Sequence, residues 1–318
     1  MVLMDAKDLT DHQLSRVVDE LVRLSGELGL RRGTLEVPPA GQLRAELRQV
    51  RVAAVGAVLP PPDPATGRAA EVVPAAWCDV AAGWLRRSGL MPLRVEVVGV
   101  VAEIGPESLA RYLRSGAAEG LRVSAGSPAT GIRTVVGQAP VNTRLALLAA
   151  GLAWSPADLA REAGEMREVI RACAGAAYAY LTPVAADRRS PVSGFGSGAP
   201  LDVPDWPESR PGDADGTLGD LADVAALDAF WYQVLGPGHL ARTGPLPGAR
   251  PLDGGRVELT LGEFADWIDE ERALTGPRPH GTTREPSALR RRGRTLLAPC
   301  FLSGTQARAL RRERRPDA

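Results

Sequence analysis

The imidazole and thiol side chains of this chain are few and far apart. The histidines are His12, His239 and His280, and the cysteines are Cys78, Cys173 and Cys300. Acid–base catalysis near neutral pH usually recruits an imidazole or a pair of carboxylates. His239 is the best placed of the three: it follows Gly-Pro-Gly in LGPGHLARTG, beside an aromatic cluster. An imidazole held there is a candidate proton carrier. The competing reading, which is preferred, makes it a capping or loop histidine. His12 is expected in the first turn of a surface helix and His280 in the C-terminal segment, both solvated. The cysteines form no CxxC and no Cys/His cluster, so they suggest neither a zinc site nor a disulfide framework. Cys78 and Cys173 fall in apolar helical patterns and are expected as small buried residues.

Other patterns carry less. Gly194-Phe195-Gly196-Ser197-Gly198 lacks the lysine and hydroxyl pair of a phosphate loop and reads as a flexible loop. Asp202, Asp205, Glu208, Asp213, Asp215, Asp220 and Asp223 form an acidic run without the spacing of a calcium loop. It reads as a solvated or partner-facing surface. The residues therefore point to no catalytic set, no cofactor and no metal. A last predicted helix over 263–273 carries Glu263, Asp266, Asp269, Glu270 and Glu271. Asp266, Asp269 and Glu270 are the candidates for meeting a basic partner. Glu258 alternates with Val257 and Leu259 on a predicted strand and is expected to point outward.

The chain has 318 residues and a formal net charge of +0. That balance argues against a general nucleic-acid or membrane-surface binder. It hides an asymmetry: from residue 277 onward eleven arginines face three carboxylates, a net +8 that leaves the remainder at −8. The arginines at 290–292 and 311–315 are expected to dock on the protein's own acidic body or to serve solubility, in preference to touching phosphates. The longest apolar stretch, 145–154, is too short to span a bilayer. No secretory signal is visible, so a cytoplasmic protein is expected.

These residues need elements to position them. A capping box at Thr10 and Gln13 opens a predicted amphipathic helix ending near Gly29. A short helix is expected around 43–49 and a strand over 51–59, closed by a proline loop. A helix follows over 74–87, then a strand over 93–104, a short helix after Pro106, a loop over 124–131 and a short strand over 132–136. The second half repeats this grammar: strand 143–154, a helix opened by Ser155-Pro156, and strand 178–182. Then come a long loop, a helix over 218–234, strand 256–261 and the acidic helix. Two strand–helix–strand–helix units of an α+β protein result, with a ferredoxin-like sandwich favoured and a doubly wound α/β sheet as the alternative. The expected divisions are an N-terminal unit over 1–140, a C-terminal unit over 141–276 with the aromatic helix, and a basic, partly disordered tail over 277–318. One extended segment is expected in that tail at 295–302. Phe230 and Trp231 are adjacent and cannot share one narrow stripe. One should face the sheet and the other a helix.

The stretch 227–267 holds Phe230, Trp231, Tyr232, Phe264 and Trp267. At Asp228-Ala229-Phe230-Trp231-Tyr232, Leu235-Gly236-Pro237 and Leu240-Ala241-Arg242-Thr243-Gly244 it resembles bacterial immunity-type proteins of type VI secretion and polymorphic toxin systems and their uncharacterised relatives. The resemblance extends loosely over 143–273 and does not cover the first 140 residues. It implies a protein that acts by binding, so no catalytic residue carries over. The expected function is a cytoplasmic protein-binding module, an immunity protein that neutralises a basic toxin by stoichiometric binding. The alternatives are an enzyme with a site near His239 and a structural accessory protein.

Overall fold

The computed structural model describes residues 50–58, 73–97, 100–116, 122–127, 131–138, 144–151, 154–185, 221–274 and 287–314. The expected helix after Thr10, His12, the helix near 43–49, the glycine-rich loop, His280 and most of the acidic run lie outside these residues.

Ten strands are described: β1 (Val50–Val58), β2 (Leu93–Val97), β3 (Val100–Glu103), β4 (Arg122–Ser127), β5 (Gly131–Gln138), β6 (Arg144–Ala150), β7 (Tyr178–Ala185), β8 (Tyr232–Leu235), β9 (Arg250–Pro251) and β10 (Val257–Thr260). They form one sheet in the order β3-β2-β4-β5-β6-β1-β7-β8-β10-β9. Every pairing is antiparallel. The protein is therefore α+β and not a parallel, doubly wound sheet. β1 lies between β6 and β7, so the sheet runs on across residue 140 without interruption.

The helices are α1 (Ala75–Arg87), α2 (Leu109–Gly116), α3 (Pro156–Ala172), α4 (Pro237–Thr243), α5 (Phe264–Leu274), α6 (Ala288–Leu297) and α7 (Gly304–Arg314). α2, α1, α3 and α5 lie side by side in that order. Beneath them the register aligns Val95, Val123, Val135 and Leu147 on neighbouring strands. All four are buried, so this face of the sheet is the helix-covered one. Local signals start and stop the helices where the sequence suggests. The Ser155 hydroxyl accepts from the Asp158 backbone N–H at 3.2 Å, and the Asp158 carboxylate accepts from the Ser155 N–H at 2.9 Å. With Pro156 in the first turn, this capping box opens α3. α1 ends at Ser88, whose hydroxyl donates to the Leu85 carbonyl at 2.6 Å.

The second face is also covered at β7, β8 and β10. Tyr178 stacks there on His239 of α4, Tyr180 on Phe230, and Gln233, in register with Leu259, bonds to the backbone of Asp228 and Phe230. Burial on both faces explains the largest departure from expectation. Tyr232-Gln233-Val234-Leu235 is buried at every position and forms β8, where a helix over 218–234 is expected. A strand without a wet face shows no alternation, and its apolar run is indistinguishable from a buried helix. Phe230 and Trp231 nevertheless divide as predicted. Phe230 stacks on Tyr180 of β7 with centroids 4.0 Å apart, and Trp231 meets Phe264 of α5 edge-on at 4.6 Å.

Four smaller differences have similar causes. The expected strand over 93–104 is a hairpin, with Val97 opposite Val100. Gly99 is the turn signal in the sequence. Residues 124–127, expected in a loop, belong to β4, which pairs on both sides with β2 and β5; pairing there overrides the weak strand preference of Ser, Ala and Gly. Residues 295–302 are not extended. Leu296 and Leu297 end α6, a single helical turn over Ala298–Cys300 follows, and Leu297 and Cys300 enter the main core. Glu258 does not point outward. It is 3% exposed, on the helix-covered face, because α3 lies above it.

Beneath α1 and α3 lies a buried arginine on β5. Arg133 donates from Nε and Nη2 to the two carboxylate oxygens of Glu162 at 2.9 and 2.8 Å. Nη2 also donates to Glu165 at 2.8 Å, and Nη1 donates to the Trp84 carbonyl at 2.6 Å. The guanidinium carbon lies 5.0 Å from the Trp84 ring centroid. This one side chain joins β5 to both helices.

Replacing Arg133 by Met strands Glu162 as a buried, unmatched carboxylate and should cost about 3–5 kcal/mol. The double variant Arg133→Met/Glu162→Leu should recover much of that loss in urea unfolding. Equal stabilities for the single variant and the parent would show that the clasp is not formed. Trp231→Ala removes the ring that fills the space against Phe264 and should also cost about 3–5 kcal/mol. A denaturation midpoint that barely moves would place Trp231 at the surface.

Candidate functional site

His239 sits in the first turn of α4, entered through Gly236 and Pro237. Its Nδ1 accepts from the Gly236 backbone N–H at 3.3 Å. Its Nε2 lies 3.1 Å from the Ala225 carbonyl. With Nδ1 accepting, Nε2 carries the proton and donates to that carbonyl. The imidazole is fully buried and stacks on Tyr178 with ring centroids 5.3 Å apart. Burial pulls its pKa down to about 4, against smaller upward effects from the Ala225 carbonyl and Asp223. The ring is thus a neutral cap that joins α4 to residues 221–230, and both nitrogens are engaged by backbone.

Around it lies a polar network. Gln233 is buried, with its amide nitrogen donating to the Tyr178 hydroxyl oxygen at 2.9 Å and to the Asp228 carbonyl at 3.2 Å. Its amide oxygen accepts from the Phe230 N–H at 3.2 Å. Burial drives the Tyr178 phenol well above its ordinary range. The Cys300 thiol lies 3.8 Å from the His239 carbonyl oxygen, and burial pushes it up to about 11. Asp223 is the described member of the acidic run. Its carboxylate accepts two hydrogen bonds from Arg314, at 3.0 and 2.8 Å, and makes no hydrogen bond to the imidazole.

The candidate partner-binding residues are placed by α5. Phe264, Trp267 and Ile268 are buried, while Glu263, Asp266 and Asp269 are exposed. The Trp267 indole donates to the Leu261 carbonyl at 2.7 Å. Gly262 enters α5 with φ +68°, and a Cβ there would meet Leu289 of α6 at 2.8 Å. Helix α5 is thus fixed between the sheet and α6, with its acidic side turned out. Glu270 follows Asp269 in the same helix. The structure brings Asp266 and Asp269 to one surface and keeps His239 away from it, inside the fold.

A third group was not foreseen. Glu258 of β10 accepts from Arg167 at 3.1 Å and from the Tyr232 hydroxyl at 2.9 Å. Arg171 lies 3.3 Å from the same carboxylate. Burial and the carboxylate together raise the Tyr232 phenol far above its usual range. Asp228 is likewise enclosed: Arg294 of α6 donates to its two oxygens at 2.7 and 3.1 Å. No spacing in the sequence predicts these pairs, because they join residues 66 and 91 positions apart. Among the described residues no cluster of three His, Cys, Asp or Glu is arranged to hold a metal ion. No helix among them is long and apolar enough to cross a membrane.

The depressed pKa of His239 has a defined sign. The unfolded chain takes up a proton near pH 6.5, and the folded one only near pH 4. Its contribution to stability is therefore complete above pH 6.5 and declines as pH falls toward 4. His239→Asn should flatten that part of the stability–pH curve, measured by urea unfolding at several pH values. Parallel curves for parent and variant would mean that the imidazole is not buried neutral.

No family model matches the chain, and no curated protein matches it. Among solved structures, the Pseudomonas aeruginosa T6SS protein PA0821 is similar at 11% identity and a TM-score of 0.38, over 82% of this chain and 86% of that one. A likeness at this level specifies neither a shared site nor a shared activity.

Proposed function

We propose that the chain is a protein-binding module whose α5 face receives a basic partner, and that this partner is a toxin it neutralises by stoichiometric binding. One observation carries the reading. The buried carboxylates Glu162, Asp228 and Glu258 are all matched by arginines of the chain. Glu263, just before α5, and Asp266 and Asp269 on it instead stand exposed, with no ion pair among the described residues. A rigid helix that presents unmatched charge of one sign steers an oppositely charged partner and fixes its orientation. Stoichiometric blocking needs such a surface and no catalytic set. The aromatic and Leu-Gly-Pro pattern of 227–267 supports the immunity reading, since it builds the scaffold behind this helix.

Rim charges act mainly on the rate of encounter. The triple variant Asp266→Asn/Asp269→Asn/Glu270→Gln should therefore slow association with the product of the neighbouring gene by about tenfold at low salt. It should also flatten the dependence of the on-rate on ionic strength. Association kinetics at two ionic strengths make the measurement. An unchanged on-rate removes α5 from the interface, and a neighbouring product that does not bind at all removes the toxin.

A further inference from the structure

The middle of the sheet is buried on a face that α1 and α3 do not cover. Residues directly opposite in an antiparallel pair share a face, and so do alternate residues along a strand. Val135 of β5 and Leu147 of β6 stand opposite each other and belong to the core beneath α1 and α3. Ile132, Thr134, Ala146, Leu148 and Ala150 therefore point the other way. On that side Ala146 is 2% exposed, Ala150 5% and Thr134 6%. The two alanines are in neither apolar cluster of the described residues, so the core under the helices does not account for their burial. A methyl group on a bare sheet face meets water, and these do not.

The burial has borders. Leu148, Thr134, Ser124 and Arg94 form one row from β6 through β5 and β4 to β2. Thr134 is buried, Ser124 half-buried and Arg94 exposed, with its guanidinium 3.6 Å from Glu103. At the opposite border Tyr180 of β7 already packs on Phe230. The strip between them is β5, β6 and β1, two strand spacings or about 10 Å across. One α-helix has about that width, roughly 10 Å.

We propose that residues 10–29 form an amphipathic helix that lies along β6 on this second face. Leu14, Val17, Val18, Leu21, Leu24 and Leu28 fall on one side at helical spacing, and Arg16, Asp19, Glu20, Arg23 and Glu27 fall on the other. The two surfaces are complementary: the alanines let a helix sit close, and leucine and valine fill the space above them. The lengths agree as well. Twenty helical residues span about 30 Å, and the seven residues of β6 about 24 Å. The chain also delivers this helix to the strip, because residues 30–49 lead into β1, which lies beside β6. The central strands are then dry on both sides, as β7 and β8 are. The inference does not rest on the toxin-binding reading.

The test uses the full-length chain with a photoreactive benzophenone amino acid at one position at a time. Leu21→benzoylphenylalanine and Leu24→benzoylphenylalanine place the probe on the apolar side of the helix. Glu20→benzoylphenylalanine and Arg23→benzoylphenylalanine place it on the charged side. Two positions per side keep the comparison valid if one substitution disturbs folding, which urea unfolding checks. After irradiation the apolar-side probes should capture residues 131–150 of the same chain, at several times the yield of the charged-side probes. Equal yields from the two sides, capture of a different segment, or a crosslinked dimer overturns the proposal; a dimer would make a second copy the cover. Thiol labelling gives an independent readout, since Cys78, Cys173 and Cys300 are all buried. The thiol introduced by Leu148→Cys should react slowly, and several-fold faster when Leu21→Asp is added, while the three native thiols stay slow. Equal rates with and without Leu21→Asp would equally overturn it.

Discussion

A carboxylate removed from water must meet a cation, and the packing of this protein is organised around that requirement. Three such matches and one half-exposed pair hold the structure across long sequence separations: Arg133 with Glu162, Arg167 with Glu258, Arg294 with Asp228, and, half-exposed, Arg314 with Asp223. Each joins a different pair of elements. Arg133 fixes the helix layer on β5, Arg167 fixes α3 over β10, and the last two fasten α6 and α7 to residues 221–230. Arginine suits this work because its guanidinium offers several donors in one plane and stays ionised when enclosed. Three of the four use two nitrogens or reach two oxygens of the carboxylate. Slipping a helix by one turn would strand both charges, so the pairs set register as well as attraction.

This pairing gives the basic C-terminal segment a defined place. Arg290 and Arg294 turn toward Asp228 and Arg314 toward Asp223, and α6 delivers Leu297 to the main core. Gly293 shows how closely α6 approaches. A Cβ at that position would lie 2.4 Å from Leu261 and 2.7 Å from Ala229. The same economy applies to His239 and Tyr178, whose polar atoms are used to hold α4 and β8 in place. Among the described residues, Asp266 and Asp269 of α5 instead turn their charge outward.

Much of the architecture is legible from the residues. β1, β6, β7, β10, α1, α3 and α5 follow from apolar spacing, proline and serine signals, as does the α+β class. The acidic side of α5 is legible because Phe264, Trp267 and Ile268 mark its other side. The capping role of His239 is half visible: Gly-Pro-Gly announces a helix start, but its second partner, Ala225, is 14 residues away. β8 and Glu258 are missed for one physical reason. Local patterns assume that a strand has one dry face, and in this part of the sheet both faces are dry. The arginine-to-carboxylate matches escape for another: charge complementarity has no period, and nothing short-range couples position 228 to position 294.

Among the described residues the two ends of the sheet are unlike. β9 has only two residues, and one is Pro251, which has no N–H to offer a further strand. β3 has four residues, none of them proline. Growth of a sheet from molecule to molecule needs two competent borders, one on each side, so that every addition leaves a fresh place for the next. A molecule with one competent border joins its like once, border to border about a two-fold axis, and stops. A short, proline-ended border such as β9 offers little to a further strand.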